Sequence, residues 1–471
     1  MYCGYVTTLK NVRSHPNADR MKLADCFGNT VCVGLSAQEN DVVIYFPTDG
    51  QLSSEYCAQN DLVRRKDENG NPAGGYLDPE KRNVKAIKLR GEKSDGITMP
   101  LESLTYTGVD LTTLTIDTQI TVINGYEICT KYIPKSNHRT SHAGGSGNKT
   151  RKHKVPTAPL FAEHADTEQL AYNLGAFKPG DEIEITLKMH GTSQRTGYLP
   201  TLQGYRRTLW DKITRKEGTP IYDWGDVSGT RRVVLDSYDG GFYGSNAFRE
   251  QHAKTFEGKL MKGETVYYEV VGFTDTGTPI MSTANNKKMN DKEFIKQYGE
   301  ETVFSYGCSP YSVEQQMVTL KQAYGTGEEA CKHVDLLKPQ SDVYVYRMTM
   351  TNEDGFVVEY TPDFMRYRCE QMGVKTVPVL WKGVIPEHPG SAEDPTITAG
   401  EWIKGVAERF YDGPDPIGKT HVREGVVVRI INRPKFCAYK HKNFAFKVLE
   451  GLIKDSAEAP DMEESQEVVN E

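Results

Sequence analysis

Residues Asp181–Ser193 read DEIEITLKMHGTS, and the interpretation of the whole chain starts from this stretch. Three apolar residues alternate with polar ones, which is the two-residue period of a half-buried β-strand. The pattern places Lys188 on the polar face where the strand ends, and Gly191 lets the backbone turn closely behind it. We therefore expect a strand that presents a lysine amine at its end.

Charged residues also lie inside three other β-like runs. Glu269 is in the middle of TVYYEVVGF, Glu424 opens EGVVVRI, and Lys447 is in the centre of NFAFKVL. An unpaired carboxylate buried beside such strands would cost several kcal/mol. Two acids and two lysines on four strands therefore predict a single polar cluster.

The order and type of these segments resemble the covalent lysine nucleotidyltransferases, and Lys-x-His-Gly-Thr-Ser is similar to the nucleotidyl-lysine motif of RNA ligases. In that family the lysine amine attacks the α-phosphate of ATP and becomes adenylylated. The resemblance implies a role for each residue, with Arg232 and Tyr344 as close competitors of two of them. The implied set is Lys188 as nucleophile, His190 and Gly191 in the nucleotide-binding loop, Arg231 on phosphate, Glu269 on ribose, Tyr346 stacked on adenine, Glu424 on metal and Lys447 on the α-phosphate.

The match is weakest at Lys447. Relatives carry Lys-x-Lys, whereas here the alternate positions are Ala445 and Leu449. Lys440 and Lys442, in YKHKN, are alternative sources of the missing charge. At the nucleophile, attack needs a neutral amine, so we expect burial and nearby positive charge to lower the pKa of Lys188 from about 10.4 toward about 7 to 8.

The amino-terminal part carries a second resemblance. HPNADRMKLADCFGNTVCVGL and VKAIKLRGEKSDGITMPL are similar to the amino-terminal OB domain of RNA ligases that seal nicks whose 3′-hydroxyl strand ends in RNA. Short strands separated by Asn-Gly and Asp-Gly turns suit a small β-barrel. Related DNA ligases and capping enzymes place an OB domain after the transferase, but only 24 residues follow Lys447.

The two resemblances together imply an α+β protein of four parts. We expect an OB-like β-barrel that binds nucleic acid over residues 1–130, a basic flexible linker over 131–157, an adenylyltransferase domain over 158–454 and a disordered acidic tail over 455–471. The transferase domain is expected to be ATP-grasp-like, with antiparallel sheets and flanking helices. Helices are predicted for FAEHADTEQLAYNLG, DKEFIKQYGEE and YSVEQQMVTLKQAYG.

Composition gives no global basic signature. The chain has 57 Lys and Arg against 64 Asp and Glu, a net charge of −7, so nucleic-acid binding would depend on local patches. One such patch is Pro134–Val155, which is either a solvated connector or an arm that follows a phosphate backbone. The nine cysteines lack zinc spacing and no apolar run approaches 18 residues, which predicts a reduced cytoplasmic protein without a membrane segment.

The resemblance as a whole implies an ATP-dependent RNA ligase. It would join 3′-hydroxyl and 5′-phosphate ends through lysyl-AMP and adenylylated RNA, with Mg²⁺ or Mn²⁺, on RNA or a nicked RNA/DNA duplex, and we expect a monomer. The alternatives are a DNA ligase or capping-type guanylyltransferase, and an OB-type nucleic-acid-binding protein whose transferase domain is inactive.

Overall fold

The structure is a computed structural model, and it describes residues 2–66, 68–70, 72–133, 156–214, 218–235, 247–281, 292–301, 303–325, 327–390 and 395–455. The chain divides into two compact units. The first consists of Met1–Lys135 and Phe444–Pro460, and the second of Ser136–Asn443 and Asp461–Glu471. Nearly all of the predicted linker and tail lies outside the described residues.

The first unit is built from short strands and two helices, numbered in chain order. The helices are α1 (Ser54–Gln59) and α9 (Phe444–Asp455). The strands are β1 (Gly4–Thr8), β2 (Lys10–Ser14), β3 (Lys22–Cys26), β4 (Asn29–Val33), β5 (Val42–Phe46), β6 (Gly50–Leu52), β7 (Arg65–Lys66), β8 (Pro72–Ala73), β9 (Ala86–Leu89), β10 (Glu92–Asp95), β11 (Ile97–Pro100), β12 (Gln119–Ile120), β13 (Val122–Ile123), β14 (Tyr126–Glu127) and β15 (Cys129–Lys131).

The strands of this unit pair antiparallel in several small sheets. One sheet has the order β11-β5-β1-β12, another is β2-β3-β4, and the remaining strands form two-stranded ladders. Val6, Ile44 and Phe46 from the first sheet pack with Leu52 and Tyr56 in the core. Within the described residues these pairings do not close into one barrel, so the predicted OB-like barrel is not confirmed.

The end of the chain corrects one prediction. NFAFKVL was expected to be a strand, but Phe444–Asp455 forms the helix α9. Its Phe444 and Val448, one helical turn apart, pack against Ala86 of β9. This helix belongs to the first compact unit, whereas the predicted transferase domain extends to residue 454, and the domain bounds stay a prediction.

The second unit contains longer strands. They are β16 (Glu168–Gln169), β17 (Glu182–Lys188), β18 (Thr192–Arg206), β19 (Thr219–Thr230), β20 (Glu264–Gly272), β21 (Ser341–Thr351), β22 (Val357–Glu359), β23 (Lys375–Thr376), β24 (Val379–Val384), β25 (Gly425–Ile430) and β26 (Cys437–Lys442). The helices are α2 (Leu209–Thr214), α3 (Ala247–Lys254), α4 (Lys292–Tyr298), α5 (Val313–Tyr324), α6 (Gly327–Cys331), α7 (Pro362–Met372) and α8 (Ala399–Glu408).

These strands form two mainly antiparallel sheets. The first has the order β16-β26-β25-β17-β24. The second has the order β19-β18-β20-β21-β22, with β23 parallel to β21. Because β17 ends at Lys188 and β18 begins at Thr192, three residues connect the two sheets. Strand β17 is an interior strand of one sheet and β20 of the other, and both present buried apolar residues to a core.

The predicted antiparallel sheets with flanking helices are confirmed, as are the two helices that became α4 and α5. The helix predicted for FAEHADTEQLAYNLG is wrong. That segment contains the short strand β16 and the 3₁₀ turns Leu170–Tyr172 and Leu174–Ala176. The side chains of the residues that precede β16 contact the sheet instead. Tertiary contacts of this kind override local helix propensity.

Candidate active site

Lys188 and Glu424 form an ion pair where neighbouring strands meet. Lys188 ends β17 and lies opposite Gly425 of β25, which in turn lies opposite Lys442 of β26. Lys188 Nζ is 2.8 Å from Glu424 Oε1. Glycine is required at position 425, between Lys188 and Lys442 on the neighbouring strands, because a Cβ there would be 2.2 Å from the carbonyl oxygen of His441. Two of the predicted site residues are therefore in direct contact.

Glu424 is almost fully buried, and its two oxygens differ. Oε1 forms the ion pair with Lys188 Nζ, and Lys442 Nζ lies 3.9 Å from the same oxygen. Oε2 is buried and has no hydrogen-bond donor among the described residues; His190 Nδ1 is 3.7 Å away. A buried carboxylate oxygen of this kind is costly unless a cation or donor reaches it. In the described part of the chain, no group of three or more His, Cys, Asp or Glu side chains is placed to hold a metal.

The electrostatic balance at Lys188 differs from the predicted one. Burial lowers the pKa of the Lys188 amine, but the Glu424 carboxylate raises it, and the Lys442 ammonium lowers it. The net direction is upward, above the ordinary value of a lysine. The expected lowering of this pKa is therefore not produced by the groups of the chain itself, because the contact with Glu424 outweighs burial.

The two candidate lysines after Glu424 occupy different environments. Lys442 ends β26 beside Glu424, and Lys440 lies on the same strand. Lys447 lies on α9 in the first unit, where its Nζ is 2.5 Å from Oδ2 of the buried Asp95. The prediction that Lys447 lies on a strand of the polar cluster is therefore wrong, because the run that contains it forms the helix α9. Lys447 pairs instead with Asp95 of β10.

The loop after Lys188 is held at two main-chain positions. The N–H of His190 donates to Tyr306 Oη at 2.7 Å, and the N–H of Gly191 donates to Glu269 Oε1 at 3.1 Å. A Cβ on Gly191 would lie 2.4 Å from the carbonyl oxygen of Val270, so only glycine fits against β20. The structure thus brings Glu269 to the loop after Lys188.

The aromatic candidates lie on the next strand, β21. Ser193, Glu269 and Tyr344 are opposite one another on three neighbouring strands and so share one face of the sheet. The register between β20 and β21 shifts at Tyr346, between the pairs Tyr267–Arg347 and Tyr268–Val345, which is a β-bulge of the kind that redirects a side chain. Tyr346 Oη lies 2.8 Å from Ser193 Oγ, and its ring is half-buried whereas Tyr344 is 5% exposed.

His164 packs against Tyr346, and no sequence signal indicated its role. The two rings meet edge to face with centroids 5.0 Å apart. Burial, and then the guanidinium groups of Arg347, Arg231 and Arg195, hold the pKa of His164 well below its ordinary value. Arg347 donates to Nδ1 at 3.2 Å, which leaves the single ring proton on Nε2.

Arg231 lies just after β19 and forms an ion pair with Asp166. The segment that precedes β16 therefore places both His164 and Asp166 beside the sheet. Arg232, its competitor, is exposed. The sequence did not indicate Tyr306, Phe304 or His421. The first two lie in the segment inserted between β20 and β21, and His421 lies in the connection before β25.

All nine cysteines are free thiols. In the described residues, no helix is long and apolar enough to cross a membrane.

Comparison with known proteins relates the whole architecture to one enzyme. No family model and no curated protein sequence matches the chain. Among solved structures it is similar to the Naegleria gruberi RNA ligase. A lysine-to-alanine variant with ATP and Mn is 16% identical with a TM-score of 0.50, covering 96% of this chain and 98% of that one.

Two further structures of the same enzyme agree. A lysine-to-methionine variant with AMP and Mn is 14% identical with a TM-score of 0.51, covering 94% of this chain and 97% of that one. A glutamate-to-alanine variant with ATP and Mn is 15% identical with a TM-score of 0.51, covering 94% and 98%. Identities this low show the fold alone. The chain therefore has the fold of this RNA ligase over nearly its whole length.

Proposed function

We propose that the chain is an ATP-dependent RNA ligase that joins a 3′-hydroxyl to a 5′-phosphate through a lysyl-AMP intermediate. The observation that carries the proposal is the contact between Lys188 Nζ and Glu424 Oε1 at 2.8 Å, at the junction of the two sheets. A strand-end lysine beside a buried carboxylate, in the fold of an RNA ligase that was solved with ATP and AMP, supports nucleotidyl transfer.

Three chemical steps follow from this assignment. The neutral Lys188 amine attacks the α-phosphorus of ATP and loses one proton to solvent, a P–N bond forms, the bond to the bridging oxygen breaks, and pyrophosphate leaves. An oxygen of the RNA 5′-phosphate then displaces the amine, which regains a proton, and adenylylated RNA forms. Finally a 3′-hydroxyl oxygen attacks the 5′-phosphorus and its proton passes to solvent, the phosphodiester P–O bond forms, the bond to the bridging oxygen breaks, and AMP leaves. Each step depends mainly on alignment and on neutralising phosphate charge.

The residues of the site suit a hard divalent cation. Glu424 Oε2 is buried without a hydrogen-bond donor among the described residues, and a carboxylate oxygen is a preferred ligand of Mg²⁺ and Mn²⁺. One carboxylate is enough, because Mg²⁺ usually keeps waters and takes its other ligands from phosphate. Glu424 would hold such an ion, which would supply positive charge near the phosphates and offset the charge of the carboxylate beside the Lys188 amine.

The phosphate-neutralising lysine is proposed to be Lys442, with Lys440 on the same strand, rather than Lys447. Lys442 Nζ is 3.9 Å from Glu424 Oε1, whereas Lys447 neutralises Asp95 in the first unit. Lys442 lies opposite Gly425, which lies opposite Lys188, and this position would bring the Lys442 ammonium close to the negative charge that develops during attack. This assignment replaces the sequence-based role of Lys447.

The nucleotide is proposed to lie along the face of the sheet that carries Glu269. Glu269 would accept hydrogen bonds from ribose hydroxyls, and Tyr346 offers the more accessible ring for adenine, although Tyr344 shares the same face. Arg231 would contact phosphate, which would replace its present partner Asp166, whose side chain is 61% exposed. His190 and Gly191 form the backbone of the loop around the nucleophile.

The first unit is proposed to bind the nucleic acid. The β9–β10 hairpin exposes Lys88, Arg90 and Lys93, which provides the local basic patch that an acidic chain requires. The OB-like assignment remains a proposal that rests on the sequence resemblance. A reduced monomer in the cytoplasm, acting in RNA repair on a nicked duplex, is likewise the expectation that follows from it.

Labelled nucleotide tests the proposal directly. Incubation with α-labelled ATP and Mg²⁺ is expected to give an acid-labile, alkali-stable protein adduct, because a phosphoramidate hydrolyses once its nitrogen is protonated. Lys188→Ala should abolish the adduct, and full labelling of that variant would refute the assignment. Labelling by GTP instead would favour a capping-type enzyme, and absence of any adduct would favour a nucleic-acid-binding protein. Transfer of the label to a 5′-phosphorylated RNA separates the ligase from a DNA-specific enzyme.

A further inference from the structure

A loop inserted between β20 and β21 contacts both sides of the Lys188–Glu424 pair. The side chain of Tyr306 accepts the N–H of His190, two residues after Lys188, at 2.7 Å. The backbone N–H of Tyr306 donates to His421 Nε2 at 3.4 Å, and His421 lies three residues before Glu424. One residue therefore bridges the segments that carry the two charges.

The geometry around Tyr306 is tightly determined. Tyr306 is 3% exposed and His421 is fully buried, and their rings meet edge to face with centroids 4.7 Å apart. Phe304 contacts both sides of the bridge, with its ring 4.7 Å from that of His190 and 5.3 Å from that of His421. The loop is thus packed against the nucleophile motif and against the approach to β25.

Two further features describe how the contact of Tyr306 with His190 and His421 is held. Tyr306 has a φ of 47°, a left-handed conformation that bulky residues rarely adopt. Strain of this kind persists only where surrounding structure enforces it, and it is frequent at active sites. His421 Nδ1 lies 3.0 Å from the carbonyl oxygen of Val422, which places the ring proton there and leaves Nε2 free to accept from Tyr306.

The hydroxyl also stays protonated. Burial raises the pKa of Tyr306 well above its ordinary value, and the nearby Glu424 carboxylate acts in the same direction. The Oη atom therefore remains a neutral acceptor for the N–H of His190. An ionised oxygen at this place would instead repel the carboxylates of the site.

We propose that Tyr306 is a positioning residue that fixes the loop after Lys188 relative to Glu424, so that the lysine amine is aligned for attack. The proposal rests on the proposed function, because alignment is only useful if Lys188 is a nucleophile. Among the described residues no hydrogen bond joins Tyr306 to the amine or to the acid, and its effect is transmitted through its hydrogen bonds with His190 and His421. It should therefore change the rate of lysyl-AMP formation much more than the affinity for ATP.

The test is Tyr306→Phe, which keeps the ring and removes only Oη. Single-turnover formation of lysyl-AMP at saturating ATP should fall about 10- to 100-fold, while the ATP concentration for half-maximal rate stays within about threefold. Tyr298→Phe is the matched control, since Tyr298 is a buried tyrosine of the same insertion, and it should leave the rate unchanged. A Tyr306→Phe rate within about twofold of wild type would overturn the proposal.

Amide hydrogen exchange without nucleotide provides a readout that does not depend on activity. Exchange in peptides spanning residues 189–192 should speed up in Tyr306→Phe but not in Tyr298→Phe, because the His190 N–H loses its acceptor. Unchanged exchange would overturn the positioning role. If wild-type protein forms no lysyl-AMP but the exchange result holds, the proposed function fails and the contact stands. Should Tyr306→Phe fail to fold, Phe304→Leu, which retains the hydroxyl but loses the ring packing, is measured in the same two assays and is expected to show smaller changes of the same kind.

Discussion

At the scale of single residues, the protonation of Lys188 is governed by opposing influences from groups within a few ångströms. Burial favours the neutral amine, and so does Lys442, whereas Glu424 favours the ammonium and prevails. The proposed nucleophile, Lys188, is therefore held in its charged, unreactive form by the same carboxylate that is proposed to bind the metal. Occupation of Glu424 by a cation would release it.

This balance gives a first prediction. In protein without nucleotide or metal, acylation of Lys188 by an amine-reactive reagent should require a higher pH than that of a free lysine, and Glu424→Gln should lower the pH needed. The reason is that the substitution removes the charge that raises the pKa and leaves burial and Lys442, which both lower it. Peptide mass spectrometry across a pH series provides the measurement, with the exposed Lys254 as the internal reagent control. An upward shift in Glu424→Gln would contradict the assignment.

A second prediction separates the two lysines that follow Glu424. Lys442→Ala should slow lysyl-AMP formation by about 100-fold or more, as expected when a charge that stabilises the developing phosphate charge is removed. Lys447→Ala should keep a near-normal rate but melt at a lower temperature, because the buried Asp95 loses its cation. Radiolabel transfer and thermal melting are measured on both variants. Loss of labelling in Lys447→Ala alone would restore the original sequence-based role.

At the scale of elements, long runs with a clear period were predictable and short aromatic runs were not. β17, β20 and β25 follow from apolar residues in strand-length runs, and α5 follows from its Ser312 capping box. Phe444, Phe446 and Val448 alternate like a strand, yet Phe444 and Val448 are also one helical turn apart, so five residues do not distinguish the two.

The candidate site shows the same division. Lys188, Glu269 and Glu424 were identified because a charge within an apolar strand is conspicuous in sequence. Tyr306 and His164 were not, because their roles depend on contacts with residues more than a hundred positions away. No local pattern records such a contact. The bulge that redirects Tyr346 is likewise a property of strand pairing and cannot be read from β21 alone.

Helix α3 supplies a prediction about pH and stability. Its His252 is buried and lies 2.8 Å from Ser341 Oγ at the start of β21, and burial lowers its pKa to about 4. A histidine with a lowered folded-state pKa contributes stability above the unfolded value, and this contribution is lost as the pH falls from about 6.5 through 4. The loss from this group amounts to about 3 kcal/mol.

The variant His252→Gln retains a partner for Ser341 but cannot titrate. Its free energy of unfolding should therefore change less between pH 7 and pH 4 than that of wild type, as measured by urea denaturation at each pH. His388→Gln, at an exposed position, is the control and should behave like wild type. An identical pH dependence in wild type and His252→Gln would show that α3 docks without this linkage.

At the scale of the whole molecule, the residues proposed for nucleotide chemistry all belong to the second unit, while the basic hairpin belongs to the first. A fragment of residues 156–443 should therefore still form lysyl-AMP but seal nicked RNA orders of magnitude more slowly, because the two ends are no longer held in line. Gel assays of adenylylation and of sealing measure the two activities separately. Equal sealing by the fragment and the full chain would remove the proposed role of the first unit.

Salt offers an independent check on the intact protein. Sealing should fall steeply as salt is raised from about 50 to 200 mM, since contacts with the phosphate backbone are screened, whereas lysyl-AMP formation should fall much less. Replacing Lys88, Arg90 and Lys93 with alanine should flatten the salt dependence of sealing. Similar salt dependence of the two steps would place the nucleic-acid contacts elsewhere.

The position of α9 has a consequence for how the protein is made. Phe444 and Val448 cover Ala86, and Lys447 pairs with Asp95, so contacts of the first unit join residues more than 350 positions apart. A ribosome has to synthesise residues Ser136–Asn443 of the second unit before this helix emerges. The strands of the first unit therefore appear long before the helix that completes their packing, and during that interval their apolar surface needs protection from aggregation.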